Sequence, residues 1–243
     1  MKSIKVHTTP STNIYLRELY RANPTIQNCY VVAENQTQGR GQRGANWSSE
    51  KGKNLTFSVL LSDLNLKIEN QFKLSAITSL AVLKVLKQLG ILNLKVKWPN
   101  DILADSFKVC GVLIENIFSN QKINTAIIGV GLNVNQINLD STYRASSLKE
   151  LTGVHYDLDN VLKQLVRQIE KDMYELLPYS HETILEMYHE HLFRIEKPST
   201  FQFPNGERTT GIIKRVSNQG LLEILFEDEK LNSFEIKEIK LLY

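Results

Sequence analysis

The stretch Gly39-Arg40-Gly41-Gln42-Arg43-Gly44 lies between two apolar segments that have the composition of β-strands. Its glycines allow the backbone to adopt positive φ and to bring successive N–H groups close to a ligand. Its two arginines supply permanently charged, forked donors that suit phosphate or carboxylate groups. A short Gly/Arg cluster taken alone is more often a basic surface turn, so the anion-binding interpretation of this glycine-arginine loop depends on the chain's other motifs.

The segments around the loop predict an α+β fold. Residues 30–34 and 55–61 have strand composition, so the loop joins two strands. Residues 71–89 carry apolar side chains at helical spacing up to Gly90, which predicts the main core helix. Further strands are expected around Ile4 and Val6 and at 94–97, 108–118 and 125–135, and further helices at 11–23, 157–177 and 180–193.

The C-terminal segment changes in character after Lys197-Pro198. It contains four or five short strand patterns separated by turns, and Asn205-Gly206 is a strong hairpin signal. A segment of this size would be only marginally stable alone, so we expect a small SH3-like β-barrel that rests on the preceding domain. The sequence therefore predicts two domains, at 1–196 and 197–243.

Composition and charge narrow the class of protein. The two cysteines are too few for a disulfide framework and favour a reducing compartment. The net charge of +3 is dispersed, and the last 47 residues carry seven Lys/Arg against seven Asp/Glu, unlike a nucleic-acid-binding surface. No apolar segment approaches the ~20 residues that span a bilayer, and no signal peptide is recognisable. We expect a soluble cytoplasmic protein that binds neither nucleic acid nor membrane.

Polar residues and glycines recur along the later strands. In Lys97-Trp98-Pro99-Asn100-Asp101 the proline cannot continue a central ladder, which leaves an Asn and an Asp at the end of a strand. Lys108 precedes Gly111 by three residues, and two more glycines interrupt the strand pattern at 125–135. Glycines weaken strands unless something packs closely on that backbone, and a flat ligand would explain them.

Taken together, these motifs resemble those of biotin protein ligases and occur in that family's order. They are Ser11-Thr12-Asn13, the glycine-arginine loop with Trp47, the 97–101 motif, Lys108 with Gly111, and Gly129-Val130-Gly131-Leu132-Asn133-Val134-Asn135. The resemblance covers the whole chain and implies a class II synthetase-like catalytic domain, whose mixed sheet is flanked by helices, followed by an SH3-like domain. Because the Ser-Thr-Asn motif begins at residue 11, the chain resembles the short form that has no N-terminal DNA-binding domain.

The resemblance implies a reaction with two steps. Biotin and ATP would form biotinoyl-5'-AMP, and biotin would then pass to one lysine of a biotin carboxyl carrier protein domain of acetyl-CoA carboxylase or a related carboxylase. The first step brings two anions together, so Mg2+ and fixed cations are expected to offset their repulsion. A homodimer is compatible with the sequence and is not specified by it.

The resemblance also assigns roles to residues. The implied catalytic residues are Lys108, Arg40 and Asp101. The implied biotin-binding residues are Ser11, Thr12, Asn13, Gln36, Arg40, Gly41, Gln42, Lys108 and Gly111. The implied ATP and adenylate residues are Arg40, Arg43, Trp47, Lys97, Asn100 and Asn133. No protein side chain is predicted as a metal ligand.

Simpler roles compete with several of these assignments. Ser11 and Thr12 could cap a helix, Lys108 could be an exposed strand lysine, and Trp47 could be a core aromatic residue. Gln42 and Ala45 stand where many relatives have basic residues, which could weaken the hold on biotinoyl-AMP unless Lys51 or Lys53 compensates. Two rival functions stay open: a lipoate-protein ligase, and a sensor that binds biotin or a nucleotide without catalysis.

Overall fold

The computed structural model describes residues 1–139 and 144–243, and its larger β-sheet has eight strands. These strands are β1 (Lys2–Thr9), β2 (Cys29–Gln36), β3 (Leu55–Leu61), β4 (Leu66–Lys67), β5 (Leu94–Lys97), β6 (Asp101–Ala104), β7 (Phe107–Ser119) and β8 (Lys122–Leu132). Their order is β1-β2-β3-β8-β7-β6-β5, with β4 also pairing with β8. Because β1 and β2 are parallel and the other pairs are antiparallel, the predicted mixed sheet is confirmed.

Five described helices flank this sheet. They are α1 (Thr12–Ala22), α2 (Phe72–Gln88), α3 (Leu148–Thr152), α4 (Leu158–Leu176) and α5 (His181–His189). Thirteen residues of α2 are buried, as its apolar spacing predicts, and it packs against α4 and α5 on one face of the sheet. On the other face, Leu16 of α1 packs in a smaller cluster with Val31, Leu60 and Ile127. All seven residues of β3 are buried because the strand is covered on both faces.

The C-terminal residues form a second, antiparallel sheet. Its strands are β9 (Pro198–Gln202), β10 (Arg208–Val216), β11 (Leu222–Phe226), β12 (Leu231–Phe234) and β13 (Lys240–Leu242). The strand order is β12-β11-β10-β9-β13. The predicted turn at Asn205-Gly206 joins β9 to β10, with Gly206 at φ 89°. These elements confirm the α+β class and the change to short strands after Lys197-Pro198.

Several boundaries differ from the sequence-based prediction: β8 covers Lys122–Leu132 where 125–135 was expected, and two further differences have an identifiable cause. The strand pattern was expected to break at the 97–101 motif, but β6 begins at Asp101 and pairs with β5, so the motif is a tight connection inside the sheet. The last helix ends at His189, before the predicted 193. The chain then runs alongside β5, where the backbone N–H of Val96 donates to the carbonyl of His191 and that of Phe193 donates to the carbonyl of Val96. Tertiary pairing thus overrides the helical pattern.

Candidate active site

A cavity of about 230 Å³ lies on the face of the larger sheet that carries α1. The predicted site residues that line it are Ser11, Thr12, Asn13, Gln36, Arg40, Gly41, Gln42, Trp47, Asn100, Asp101, Lys108 and Gly111. The remaining lining residues are Ala45, Asn46, Phe57, Pro99, Val112, Leu113, Gly129, Val130, Gly131 and Ile236. The structure therefore brings together every residue of the predicted biotin set and all three predicted catalytic residues.

One end of the cavity is polar because the start of α1 faces the end of β2. The backbone N–H and the hydroxyl of Thr12 both donate to Gln36 Oε1, at 2.8 and 3.1 Å. Ser58 Oγ lies 2.7 Å from Thr12 Oγ1 and 2.6 Å from Asn13 Oδ1. The simple capping role does not hold, because Ser11 at the N-cap makes no side-chain bond to the helix and the Thr12 hydroxyl bonds Gln36.

The glycines of β8 allow the chain's own side chains to approach the sheet. A Cβ at Gly129 would overlap the amide of Asn13, and a Cβ at Gly131 would overlap the indole ring of Trp47. A glycine is required at both positions because these side chains lie directly on the backbone. The flat ligand expected from the sequence is therefore not needed to explain these two glycines.

Trp47 packs on the floor of the cavity. Its indole lies over Gly131 and in van der Waals range of a Cβ at Gly111, and the Lys108 amine is 5.7 Å from the ring centroid, within cation–π range. The indole N–H is buried and has no hydrogen-bond partner among the described residues. A buried donor of this kind is costly unless it is paired, so the indole N–H is available to an acceptor on a ligand.

The charged centre of the cavity is an ion pair between β6 and β7. Lys108 Nζ lies 2.6 Å from Asp101 Oδ1, and the two side chains are 30% and 20% exposed. Asp101 stands opposite Gly111 in the ladder, where the missing side chain leaves room for the lysine. Lys108 is therefore paired inside the cavity and is not the exposed strand lysine of the simpler interpretation.

The glycine-arginine loop folds back on itself above the cavity. The Gly41 N–H donates to the Ala45 carbonyl at 2.6 Å, and the Trp47 N–H donates to the Gly39 carbonyl at 3.0 Å. Gly39 has no room for a Cβ beside the Trp47 carbonyl. Positive φ is found only at Arg43 and Gly44 within this loop, so close backbone approach, more than left-handed conformation, explains its first glycine.

Three predicted nucleotide-binding residues lie outside the cavity lining. Arg43 points to the C-terminal segment, where Nη1 donates to the Ile236 carbonyl. Lys97 lines a neighbouring cavity of about 510 Å³ between the two sheets, its amine is 4.9 Å from the Tyr243 ring centroid, and burial lowers its pKa. Asn133 is buried and donates from Nδ2 to the Ser146 carbonyl. The structure does not bring these three side chains to the others.

The suggested compensating lysines also lie elsewhere. Lys51 Nζ is 3.0 Å from His7 Nε2 near the edge strand β1, and the backbone carbonyl of Lys53 accepts from Asn135. Neither lysine lines the cavity. Compensation for Gln42 and Ala45 by these lysines is therefore not supported by the geometry.

Sequence reasoning missed Ser58, Glu115 and Ile236. Ser58, like Thr56, is a polar residue within the fully buried β3, and a buried hydroxyl needs a partner, which was an available signal. Glu115 lies on β7 in the same alternating register as Gly111 and Leu113. Ile236 comes from the C-terminal segment, and no local pattern links it to residues 11–131.

The described residues include no group of three or more His, Cys, Asp and Glu side chains that could hold a metal ion. Asp101 is the only carboxylate among the described residues that line the cavity. In the described part of the chain, no helix is both long and apolar enough to cross a membrane.

The sequence that forms this fold and cavity matches the model of a known protein family. The model of the Biotin/lipoate A/B protein ligase family matches residues 5–133, which is more than half of the chain. The chain therefore belongs to the biotin/lipoate A/B protein ligase family.

Individual relatives have low sequence identity to this chain, and a solved structure nevertheless superposes on most of it. The biotin--[acetyl-CoA-carboxylase] ligase of Mycobacterium tuberculosis is 27% identical over 220 residues, which cover 89% of this chain and 80% of that protein. The bifunctional ligase/repressor BirA of Bacillus spizizenii is 29% identical over 61% of this chain, and the match spans about half (47%) of the relative's length. A biotin protein ligase from Aquifex aeolicus, solved with biotin and ATP, superposes with a TM-score of 0.79 at 26% identity over 99% of this chain and 98% of its own.

Proposed function

We propose that this protein uses ATP to convert biotin into biotinoyl-5'-AMP and then transfers the biotinoyl group to a lysine of a biotin carboxyl carrier domain. The observation that carries the proposal is the Lys108–Asp101 pair at 2.6 Å, which lies between a polar recognition end and an arginine-bearing loop. The family match and the relatives named above support the same reaction.

In the first step the carboxylate oxygen of biotin attacks the α-phosphorus of ATP, and pyrophosphate leaves. Both reactants are anionic, so the barrier falls when fixed positive charge lies between them. Lys108 projects into the cavity from β7, and Arg40 lines it from above. Mg2+ would enter with the phosphates of the nucleotide, where it supplies further positive charge.

Biotin would lie with its ureido ring at the polar end formed by Ser11, Thr12, Asn13 and Gln36. Leu113, which shares the alternating register of Gly111 on β7, and the indole of Trp47 continue from this end toward Lys108, which suits the thioether ring and the aliphatic tail. Phe57, Val112 and Val130 also border the cavity, but their side chains belong to the core on the other face of the sheet. This orientation would place the carboxylate of biotin beside the Lys108 amine.

In the second step the neutral amine of the carrier lysine attacks the acyl carbon, and AMP leaves. Asp101 is the residue that we propose orients this amine and accepts its proton. Its present partner, Lys108, would turn toward the carboxylate and phosphate of the reactants, which frees the aspartate. Exchange of the ion-pair partner therefore couples the two steps.

The nucleotide would be held by Trp47 and Asn100, which line the cavity. Asn100 is oriented by a hydrogen bond of 2.6 Å from Nδ2 to the Val112 carbonyl. Direct roles for Arg43, Lys97 and Asn133 stay predictions, because their side chains have other partners. We also propose that residues 1–196 form the catalytic domain and 197–243 a second domain that contributes Ile236 to its rim.

The test is a ligation assay with the purified protein, Mg-ATP and an isolated carrier domain of acetyl-CoA carboxylase. We expect pyrophosphate release with biotin, and a mass increase on a single lysine of the carrier domain. Lipoate with a lipoyl carrier domain is the matched control, and ligation of lipoate in preference to biotin would overturn the substrate assignment. Binding of biotin without any ligation would favour the non-catalytic sensor.

A further inference from the structure

A carboxylate next to the polar end of the cavity contacts two side chains of α1. Glu115 Oε2 accepts from Asn13 Nδ2 at 3.0 Å, and Glu115 Oε1 accepts from Arg17 Nη2 at 2.5 Å. Asn13 and Arg17 lie four residues apart on the same face of α1, so one carboxylate on β7 can bind both. Glu115 does not line the cavity, and its side chain is only 22% exposed.

The hydrogen-bond inventory then fixes the amide of Asn13. An ionised carboxylate only accepts hydrogen bonds, so the Asn13 atom facing Glu115 must be the nitrogen. The same nitrogen donates to the Leu113 carbonyl at 3.3 Å, which uses its second hydrogen. Asn13 Oδ1 consequently faces Ser58 Oγ at 2.6 Å, on the ligand side of the sheet.

This orientation gives the polar end a defined set of acceptors and donors. Asn13 Oδ1 and the hydroxyl oxygens of Thr12 and Ser58 retain lone pairs that can accept hydrogen bonds. Gln36 Oε1 already accepts from Thr12, so the Gln36 amide nitrogen is the group left to donate. A cyclic urea carries two N–H donors and one carbonyl acceptor, and this set complements it.

We propose that Glu115 is a positioning residue that sets the hydrogen-bond polarity of the ureido subsite by holding the Asn13 amide in one orientation. The inference rests on the proposed function, because the complementary group is the urea of biotin. A neutral amide at position 115 could satisfy only one neighbour. Its oxygen would face Asn13 while its nitrogen opposed Arg17, or its oxygen would face Arg17 while its nitrogen turned the Asn13 amide around.

The test compares Glu115→Gln, Arg17→Met and the double variant by calorimetric titration with biotin. We expect Glu115→Gln to weaken biotin binding about tenfold, because a buried polar contact is reversed. Arg17→Met alone should change the Kd less than about twofold, since Asn13 keeps its partner. The double variant should recover to within about threefold of wild type, because the introduced amide can then point its oxygen at Asn13.

Kinetics separate positioning from a general loss of structure. In pyrophosphate release, Glu115→Gln should raise the KM for biotin and leave the KM for ATP and the kcat at saturating biotin unchanged. An unchanged Kd in Glu115→Gln, or a double variant no better than that single variant, would overturn the proposal. If Glu115→Gln does not fold, a tenfold loss of affinity in the folded double variant would overturn it as well. Failure of the wild-type protein to bind biotin would instead refute the proposed function itself.

Discussion

Arg43 of the glycine-arginine loop forms an ion pair with Glu235 of the segment between β12 and β13, with Arg43 Nη2 2.7 Å from Glu235 Oε2. Two further bonds accompany it: Arg43 Nη1 donates to the Ile236 carbonyl at 2.7 Å, and Lys237 Nζ donates to the Arg43 carbonyl at 2.5 Å. The C-terminal segment thus holds the tip of a loop that covers the cavity, although almost 200 residues separate the two in sequence.

The first prediction is that the double variant Glu235→Ala/Lys237→Ala releases the loop. Exposed ion pairs contribute only ~0–1 kcal/mol each, so the free energy of unfolding should change little while local opening of residues 39–47 increases. Amide hydrogen exchange should accelerate severalfold in that segment alone. Lys230→Ala removes an exposed pair with Asp228 in the turn between β11 and β12; it is the control and should leave loop exchange unchanged.

The second prediction separates the two residues of the central ion pair. Lys108→Met should reduce pyrophosphate release by ~100- to 1,000-fold, because it removes the cation that we propose lies between two anionic reactants. Asp101→Asn should leave adenylate formation nearly intact and slow transfer to the carrier lysine by ~100-fold or more. Single-turnover measurements of each step would show this, and an equal loss of both steps in Asp101→Asn would contradict the separate roles.

Much of this site could be predicted from sequence because its parts are local. The glycine-arginine loop, the 97–101 motif and Lys108 with Gly111 each place polar or flexible residues within a few positions, and the structure brings most of them to one cavity. The partners of Arg43 could not be predicted in this way. Glu235 and Ile236 belong to another sheet, and nothing in the loop's own sequence indicates which way its second arginine points.

The β8 glycines show a second limit of sequence reasoning. Their positions correctly indicated close packing on the sheet, yet the groups that pack there are Asn13 and Trp47, which the chain itself supplies. A missing side chain reveals that space is needed and does not identify what fills it. The strand β6 was also missed. The proline before Asn100 correctly indicated that β5 ends there, but it did not indicate that the chain turns back at once and pairs Asp101 with Lys97.

The third prediction concerns Gly131. Gly131→Ala should displace the Trp47 indole from the cavity floor, because the added methyl group would overlap the ring. We expect a destabilisation of about 1–3 kcal/mol and a raised KM for ATP. Gly111→Ala is the matched control for stability, since its Cβ would meet Lys108 and Trp47 at an ordinary 3.4 Å. Urea denaturation of both variants would measure the free energies of unfolding, and equal destabilisation would contradict the proposed packing. ATP-dependent pyrophosphate release by Gly131→Ala would give the KM for ATP.

The fourth prediction concerns Asp172 on α4, a carboxylate that is 1% exposed. It accepts from Lys84 Nζ at 2.9 and 3.0 Å and from Gln168 Nε2 at 2.8 Å. Lys84→Met should cost about 3 kcal/mol because it leaves a buried charge without its counter-ion. Asp172→Asn should cost less, since the partly exposed lysine can turn into water. Urea denaturation of both variants would check this order, and the reverse order would contradict it.

The fifth prediction is a loss of stability at alkaline pH. Burial raises the pKa of the fully buried Cys110 thiol to about 12, and burial also raises the pKa of the Tyr188 hydroxyl. In the unfolded chain a thiol ionises at about pH 8.5–9, so above that pH the unfolded state loses its proton first and unfolding becomes easier. Stability from the neutral thiol is therefore fully present below about pH 8.5 and declines as pH rises toward 12.

At about pH 10.5 the thiol alone should account for roughly 2 kcal/mol of lost stability relative to pH 8. Cys110→Ala removes this titration, so its free energy of unfolding should fall less between the two pH values than that of the wild type. Tyr188→Phe should reduce the remaining loss, whereas Tyr174→Phe, whose ring is 85% exposed, should not. Urea denaturation at both pH values gives each difference, and an identical pH dependence in wild type and Cys110→Ala would show that ionisation of the buried thiol does not oppose folding.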